Sequence, residues 1–373
     1  MEKMIYNHIL REIRDSEILE VVLFHNAYYK EQRTTEQWLW EYKGNYPDSF
    51  VFVVSEYGSR IVGTQGMIPI HLTLNGIEYL TGKSENSLIA QNYPGKNLFK
   101  FKELYTFAIS ECESKNMCCV WGFTSLVSVW RKKLLFQVYE DAIYNALLII
   151  NLRIALTQVF KSKTFTSSMS APKKMTLLLL PIVGAFYAKV FRWNGRLLKK
   201  RKKDKFTIVK EPKDVKDLER LYEKFREKYP DLIYIHQDEQ YLIWRIFKNP
   251  NIVYKTFFVY EGKELRAYAY IHMKDNVAYI TDLTYLTNEA GIFILRILLD
   301  YFIKEKIGIV QFLGNIKNEL IENTFSLLEK FGFLKRKNSL SFVLKNISYS
   351  NEKELYDIRN WYLNELWKEG YYR

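Results

Sequence analysis

Ser84–Ala90 reads as an extended segment, and Gln91-Asn92-Tyr93-Pro94-Gly95-Lys96-Asn97 directly after it reads as a turn. Asn97 can cap a helix whose apolar positions Leu98, Phe101, Leu104, Tyr105, Ala108, Ile109 and Cys112 recur at threes and fours. A helix that begins after a strand and a Gly-containing turn offers unpaired backbone N–H groups and the positive end of its dipole. That chemistry suits a phosphate or pyrophosphate. On spacing alone, the same pattern also fits an ordinary α/β connection. Cys118–Phe123 follows as an apolar run of strand length.

The surrounding elements must hold this strand–loop–helix–strand unit. Upstream, Phe50–Ser55, a turn at Glu56-Tyr57-Gly58-Ser59, and Arg60–Ile68 predict an antiparallel hairpin. Asn75-Gly76 between apolar runs predicts a two-residue turn. Downstream, Leu126–Lys133 reads as a short helix and Phe136–Tyr139 as a strand. Residues 1–48 read as helical, with one helix started by Asp15-Ser16 and a second by Thr34-Thr35-Glu36-Gln37. The second half repeats the first at an offset near two hundred residues. Glu36-Gln37-Trp38-Leu39-Trp40 returns as Glu239-Gln240-Tyr241-Leu242-Ile243-Trp244, the helix after Asn97 as Ala290–Lys306, and Phe136 as Phe333. That period is a domain, not a solenoid unit. Where the first repeat has its glycine turn, the second has Thr284–Glu289, with Glu289 opposed to an anion and only Gly291 nearby. The second repeat therefore reads as a non-catalytic partner shaping an acceptor cleft, or as a structural half.

A chain of 373 residues, 48% apolar and 26% charged, is long enough for two ordinary globular domains. Its three cysteines form no spaced framework, and they read as small buried hydrophobes in a reduced, cytoplasmic protein. The five histidines lie at no ligand spacing, so no metal is expected. No signal-peptide pattern opens the chain. The net charge of +13 is local: between Asn151 and Lys205 fourteen Lys and Arg face one acid, Asp204. Within this stretch Met175–Phe191 is almost wholly apolar but interrupted by Pro181 and Gly184, and it is short for a span. Residues 173–205 thus read either as a solvated basic linker or as a segment lying on the inner, anionic membrane face. Leu147–Phe160 reads as a second amphipathic helix. Nucleic acid ranks last, since aromatics are not interleaved with the cations.

Arg60-Ile61-Val62-Gly63-Thr64, the loop Asn92–Phe99, and Trp121-Gly122-Phe123-Thr124-Ser125 together resemble the GNAT acyltransferase superfamily. The tandem arrangement is similar to GNAT-like proteins of bacterial envelope-polysaccharide synthesis. The resemblance implies an α/β (α+β) fold of two tandem GNAT-like domains, each a mixed, mainly antiparallel sheet flanked by helices. The first domain, 1–146, would bind acyl-CoA. A basic helical linker, 147–205, leads to the second domain, 206–348, and a terminal helix, 349–373. It implies acetyl-CoA or another acyl-CoA as cofactor, held by the backbone of Leu88, Ile89 and Ala90 and by Gly95, Lys96, Asn97, Leu98 and Phe99. Glu85 is the implied base, Asn86 or Ser87 orients the acceptor, and Ser125 stands at the exit of the next strand. The acceptor would be an amine, on an amino sugar or envelope precursor. The loop departs from the family pattern: Pro94 has no N–H to donate, and Asn97 replaces a glycine. Two alternatives follow from the same tandem pattern. One is a Fem-type transferase using aminoacyl-tRNA; the other is a non-catalytic membrane-surface binding protein.

Overall fold

The computed structural model describes residues 2–5, 8–29, 32–93, 101–151, 154 and 205–368. The first repeat opens with strands β1 (Glu2–Ile5) and β2 (His8–Glu12) and the helices Ile18–Asn26 and Thr35–Lys43. The meander β3 (Val51–Tyr57), β4 (Arg60–Leu74) and β5 (Ile77–Ile89) follows. The helix Phe101–Ser114, β6 (Cys119–Thr124), the helix Val127–Lys133, β7 (Gln137–Tyr139) and β8 (Ile143–Ile149) complete it. The second repeat runs β9 (Phe206–Val209), the helix Lys216–Lys228, β10 (Tyr234–Ile235) and a turn of α-helix, Glu239–Leu242, continuing into a wider turn, Ile243–Phe247. Then come the meander β11 (Lys255–Glu261), β12 (Glu264–Lys274) and β13 (Val277–Tyr285), and the helix Asn288–Lys304. It ends with β14 (Ile309–Asn315), the helix Glu319–Lys330, β15 (Leu334–Lys337) and β16 (Ser341–Asn346).

Local chemistry accounts for most of these limits. Thr34 and Gln37 form a reciprocal capping box at the start of Thr35–Lys43. Asn75 and Gly76 take φ of 49° and 77°, as a two-residue hairpin turn requires. β4 is buried along nearly its whole length on both faces, the signature of a central strand. The expected all-helical start is corrected: Glu2–Ile5 and His8–Glu12 are antiparallel strands, and the second pairs with β3. Buried Arg11 fixes it, donating to both Glu17 oxygens at 2.7 and 2.6 Å and to Glu56 on β3 at 2.7 Å.

Two sheets result, with strand orders β1-β2-β3-β4-β5-β6-β16-β7 and β15-β8-β14-β13-β12-β11-β9. Each repeat donates its last strand to the other. β16 lies between β6 and β7, and β8 lies between β14 and β15. The expected boundaries at 146 and 348 therefore follow the chain and not the sheets. Ile143–Ile149 crosses the first boundary and belongs to the second sheet, and Ser341–Asn346 belongs to the first. β10 adds a further crossing, pairing with the end of β4.

The expected terminal helix is instead three short turns, Glu352–Leu355, Ile358–Asn360 and Glu365–Trp367. Asn351, Asp357 and Asn364 each cap the next turn with a side-chain oxygen, restarting the chain where one helix would continue. Trp367 packs on Trp121, and Trp361 packs on Trp367. Of the expected linker, Leu147–Ile149 is strand. Residues 155–204, which hold nearly all of the basic segment, lie outside the described residues. Among the described residues no helix is long and apolar enough to cross a membrane.

Candidate active site

β5 and β6 run parallel and pair only at Gly82–Val120 and Lys83–Trp121. Beyond Lys83 they part, so the far end of β5 keeps β4 on one edge and, among the described residues, has no strand on the other. An edge opened by such a splay is a template for an extended ligand with amides of its own.

A bulge re-aims the side chains on that edge. Gly66 faces Glu85, whereas Thr64 faces Leu88, so Asn86 and Ser87 together oppose Gln65. Asn86 sits at φ 55°, a left-handed conformation that asparagine tolerates. Simple alternation would put Glu85, Ser87 and Ile89 on one face. The extra residue corrects this, bringing Leu88, not Ser87, into phase with Glu85. Fully buried Gln65 holds the bulge. Its Nε2 donates to Gly66 O at 2.8 Å, Ser84 Oγ at 3.1 Å and Glu85 O at 3.3 Å, and its Oε1 accepts from Ser87 Oγ. Thr64 donates to Asn86 O at 3.0 Å, and His25 Nε2 lies 2.9 Å from the same hydroxyl. Burial pushes the His25 imidazole down to about 3, so it is neutral, and Thr64 Oγ1, whose own proton goes to Asn86 O, is left to accept from Nε2.

Charged groups cluster under the bulge. Lys83, 1% exposed, donates to Glu85 at 2.6 Å, and Glu85 is 28% exposed at the opening. Arg33 pairs with Glu41 at 2.9 Å, both nearly sealed from solvent. Burial raises the Glu41 carboxyl, while Arg33 works against that rise. Asn86 donates to Tyr42 Oη and accepts from Arg33 at 3.4 Å. Tyr42 reaches it because Gly66 has no side chain: a Cβ there would stand 2.3 Å from the Tyr42 hydroxyl.

The structure thus gathers Glu85, Asn86 and Ser87 at one bulge. Asn86 bonds to Tyr42 and Arg33, Ser87 bonds to Gln65, and Glu85, bonded to Lys83, keeps 28% of its side chain exposed. Leu88 and Ile89 face Thr64 and Gly63 of β4. Ala90 donates its N–H to Val62 O at 2.8 Å, so that donor is already used. By the alternation of an antiparallel ladder, Ile89 is the residue whose peptide groups turn to the open edge. Ser125 is exposed just past β6, beside the turn in which Thr124 Oγ1 accepts from Leu126 N at 2.9 Å. Gly95, Lys96, Asn97, Leu98 and Phe99 lie outside the described residues. Trp121 and Trp130 are core residues, and all three cysteines are buried.

Sequence reasoning missed Gln65, Lys83 and Arg33. Lys83 carried a signal in hindsight, a lysine in an otherwise apolar or hydroxyl-bearing strand centre.

The second repeat repeats the geometry but closes it. β13 and β14 pair in parallel only from Val277–Ile309 to Ile280–Phe312. The tail fills the gap beyond: Asn364 bridges to Gly314, and Asn315 N donates to Leu363 O at 2.9 Å. Tyr270 faces Asp282 there, as Gly66 faces Glu85 in the first repeat. Asp282 is wholly buried and accepts from Tyr268 at 2.8 Å, Thr284 at 3.0 Å, and Gln237 and Tyr362 at 3.4 Å. Burial still pushes its carboxyl up to about 6. Gly291 serves packing, since a Cβ there would stand 2.9 Å from the Tyr285 ring. Glu289 pairs with Lys205 at 3.2 Å.

No family model and no curated protein matches the sequence. Solved structures do match in fold. A probable N-acyltransferase from Enterococcus faecalis superposes with a TM-score of 0.58 at 8% identity, over 91% of this chain and 73% of its own. A GCN5-related N-acetyltransferase from Kribbella flavida gives 0.56 at 9% identity, over 91% and 72%. Saccharomyces cerevisiae N-myristoyltransferase with bound myristoyl-CoA gives 0.54 at 11% identity, over 92% and 79%. The fold is therefore that of tandem GNAT-like domains, α/β with two mainly antiparallel sheets flanked by helices.

Proposed function

We propose that this chain is an acyl-CoA-dependent N-acyltransferase with its active site in the first repeat. The observation that carries the reading is the splay of β5 from β6 beside a bulge that presents Glu85. The open edge fits an acyl-CoA: Ile89 offers peptide groups to the amides of a pantetheine arm. Residues 94–100, in the position of the pyrophosphate loop, lead into the helix Phe101–Ser114. The neutral acceptor amine attacks the thioester carbonyl, Glu85 takes the amine proton, and the C–S bond breaks to release the thiolate of coenzyme A, which takes up that proton through solvent. A backbone N–H of β5 steadies the developing oxyanion. An amino sugar or an amine-bearing envelope precursor is the acceptor class we favour, with residues 173–205 holding the protein at an anionic membrane face.

Calorimetric titration with acetyl-CoA and with a long-chain acyl-CoA tests this, with Gly95→Trp as control. Micromolar binding lost in the control supports the reading. No binding by the intact protein overturns it, and charged tRNA and anionic vesicles are then the ligands to titrate.

A further inference from the structure

Lys83 occupies the last position at which β5 is paired with β6, and Glu85 lies two residues on, where the edge has opened. A lysine 1% exposed within a sheet is costly unless something requires its charge. Here a carboxylate oxygen of Glu85 accepts from it at 2.6 Å. Its other charged neighbours are Glu41 on the helix Thr35–Lys43, itself paired with Arg33, and Arg245, which arrives from the second repeat. Arg245 is equally buried and donates to Leu366 O at 3.3 Å. The cluster therefore joins both repeats and the tail beneath one half-exposed carboxylate.

We propose that Lys83 is a positioning residue for the acyl transfer: its ammonium, sealed behind the opened edge, clamps one oxygen of Glu85 and aims the carboxylate at the acceptor. The role rests on the acyl-transfer reading. The clamp itself is a property of the protein without ligand. Burial, reinforced by Arg245 and opposed by Glu85 and Glu41, pushes the lysine down to about 8. The clamp is then closed at neutral pH, when Lys83 is charged, and released as pH rises through that value.

Two measurements test this. In ligand-free protein labelled with 13C at lysine Cε, one resonance should titrate near pH 8, vanish in Lys83→Met, and move to lower pH in Glu85→Gln. An ordinary titration near that of free lysine overturns the clamp, whatever reaction the protein performs. In turnover assays, wild type should show a descending limb of kcat/KM near pH 8. Lys83→Arg should keep kcat at pH 7 within threefold and lose that limb, because a guanidinium does not titrate there. Lys83→Met should lower kcat at least tenfold while the KM for acyl-CoA changes less than twofold. A lysine needed only for folding would lower the melting temperature and leave limb and KM–kcat split unmoved, and that result overturns the positioning role. If the resonance behaves as expected and no acyl-CoA is turned over, the acyl-transfer reading fails and the positioning role fails with it, while the clamp stands.

Discussion

Trp40 and Trp244 each donate an indole N–H to the other's backbone carbonyl, at 3.0 and 2.7 Å, with rings stacked 5.4 Å apart. They stand 204 residues apart at matching places in the two repeats, so the pair marks the pseudo-two-fold relation between the halves. One pair of bulges, between the first two strands of each meander, obeys the same spacing. Register slips between Ser55 and Glu56 in the first meander and between Val259 and Tyr260 in the second.

The pair should be worth measuring in equilibrium unfolding. Trp40→Phe keeps a ring and removes one donor, leaving the Trp244 carbonyl unmatched, and should cost about 1 kcal/mol. Trp244→Ala empties a buried indole site and should cost about 3–5 kcal/mol. Both should leave a single urea transition. Two separated transitions would show that the halves unfold independently.

Gly66→Ala should destabilise by about 1–3 kcal/mol, because the new methyl group collides with a Tyr42 ring that is itself fully buried. Tyr42→Phe removes the atom in closest conflict, so the double variant should be more stable than the sum of the two single losses predicts. Strict additivity in thermal melts would mean that the ring does not constrain the bulge.

Each chain should bind one acyl-CoA. The second repeat offers the same parting of strands, but Trp361–Asn364 already lies in it. A calorimetric stoichiometry of two would show that the tail yields to ligand.

Asp282 should leave a mark on the pH dependence of stability. Its carboxyl is pushed up to about 6 by burial, against about 3.9 in an unfolded chain. The folded state thus holds the proton more tightly. The contribution is fully present below about pH 4 and is lost as pH rises through about 6, amounting to about 3 kcal/mol. Asp282→Asn removes this dependence. Wild-type stability should therefore fall relative to the variant between pH 4 and 7, and parallel curves for the two proteins would refute the assignment.

Much of this architecture was legible in the sequence, since strands, turns and helices are local matters. Asn75-Gly76 and Thr34–Gln37 announce a turn and a cap with their own side chains. The tandem repeat was equally open to reading. The opening strand pair was not, because two strands of four and five residues give too short an alternation to outweigh the helical stripe that follows. The exchange of β8 and β16 left no trace, because a strand's own pattern specifies which face is apolar and not which sheet receives it. At the site, Glu85, Asn86 and Ser87 were candidates by type and place, and the structure brings them to one bulge. Gln65 and Lys83 were not, because the bulge that gives them their partners arises only from the register between β4 and β5.

The exchanged strands also govern how the protein is made. The first sheet is missing an interior strand until residue 346 has left the ribosome, and β8 has no sheet to join until β14 has emerged. Neither sheet can close on the strands of its own repeat alone, so the two halves close only after strands of both have been made.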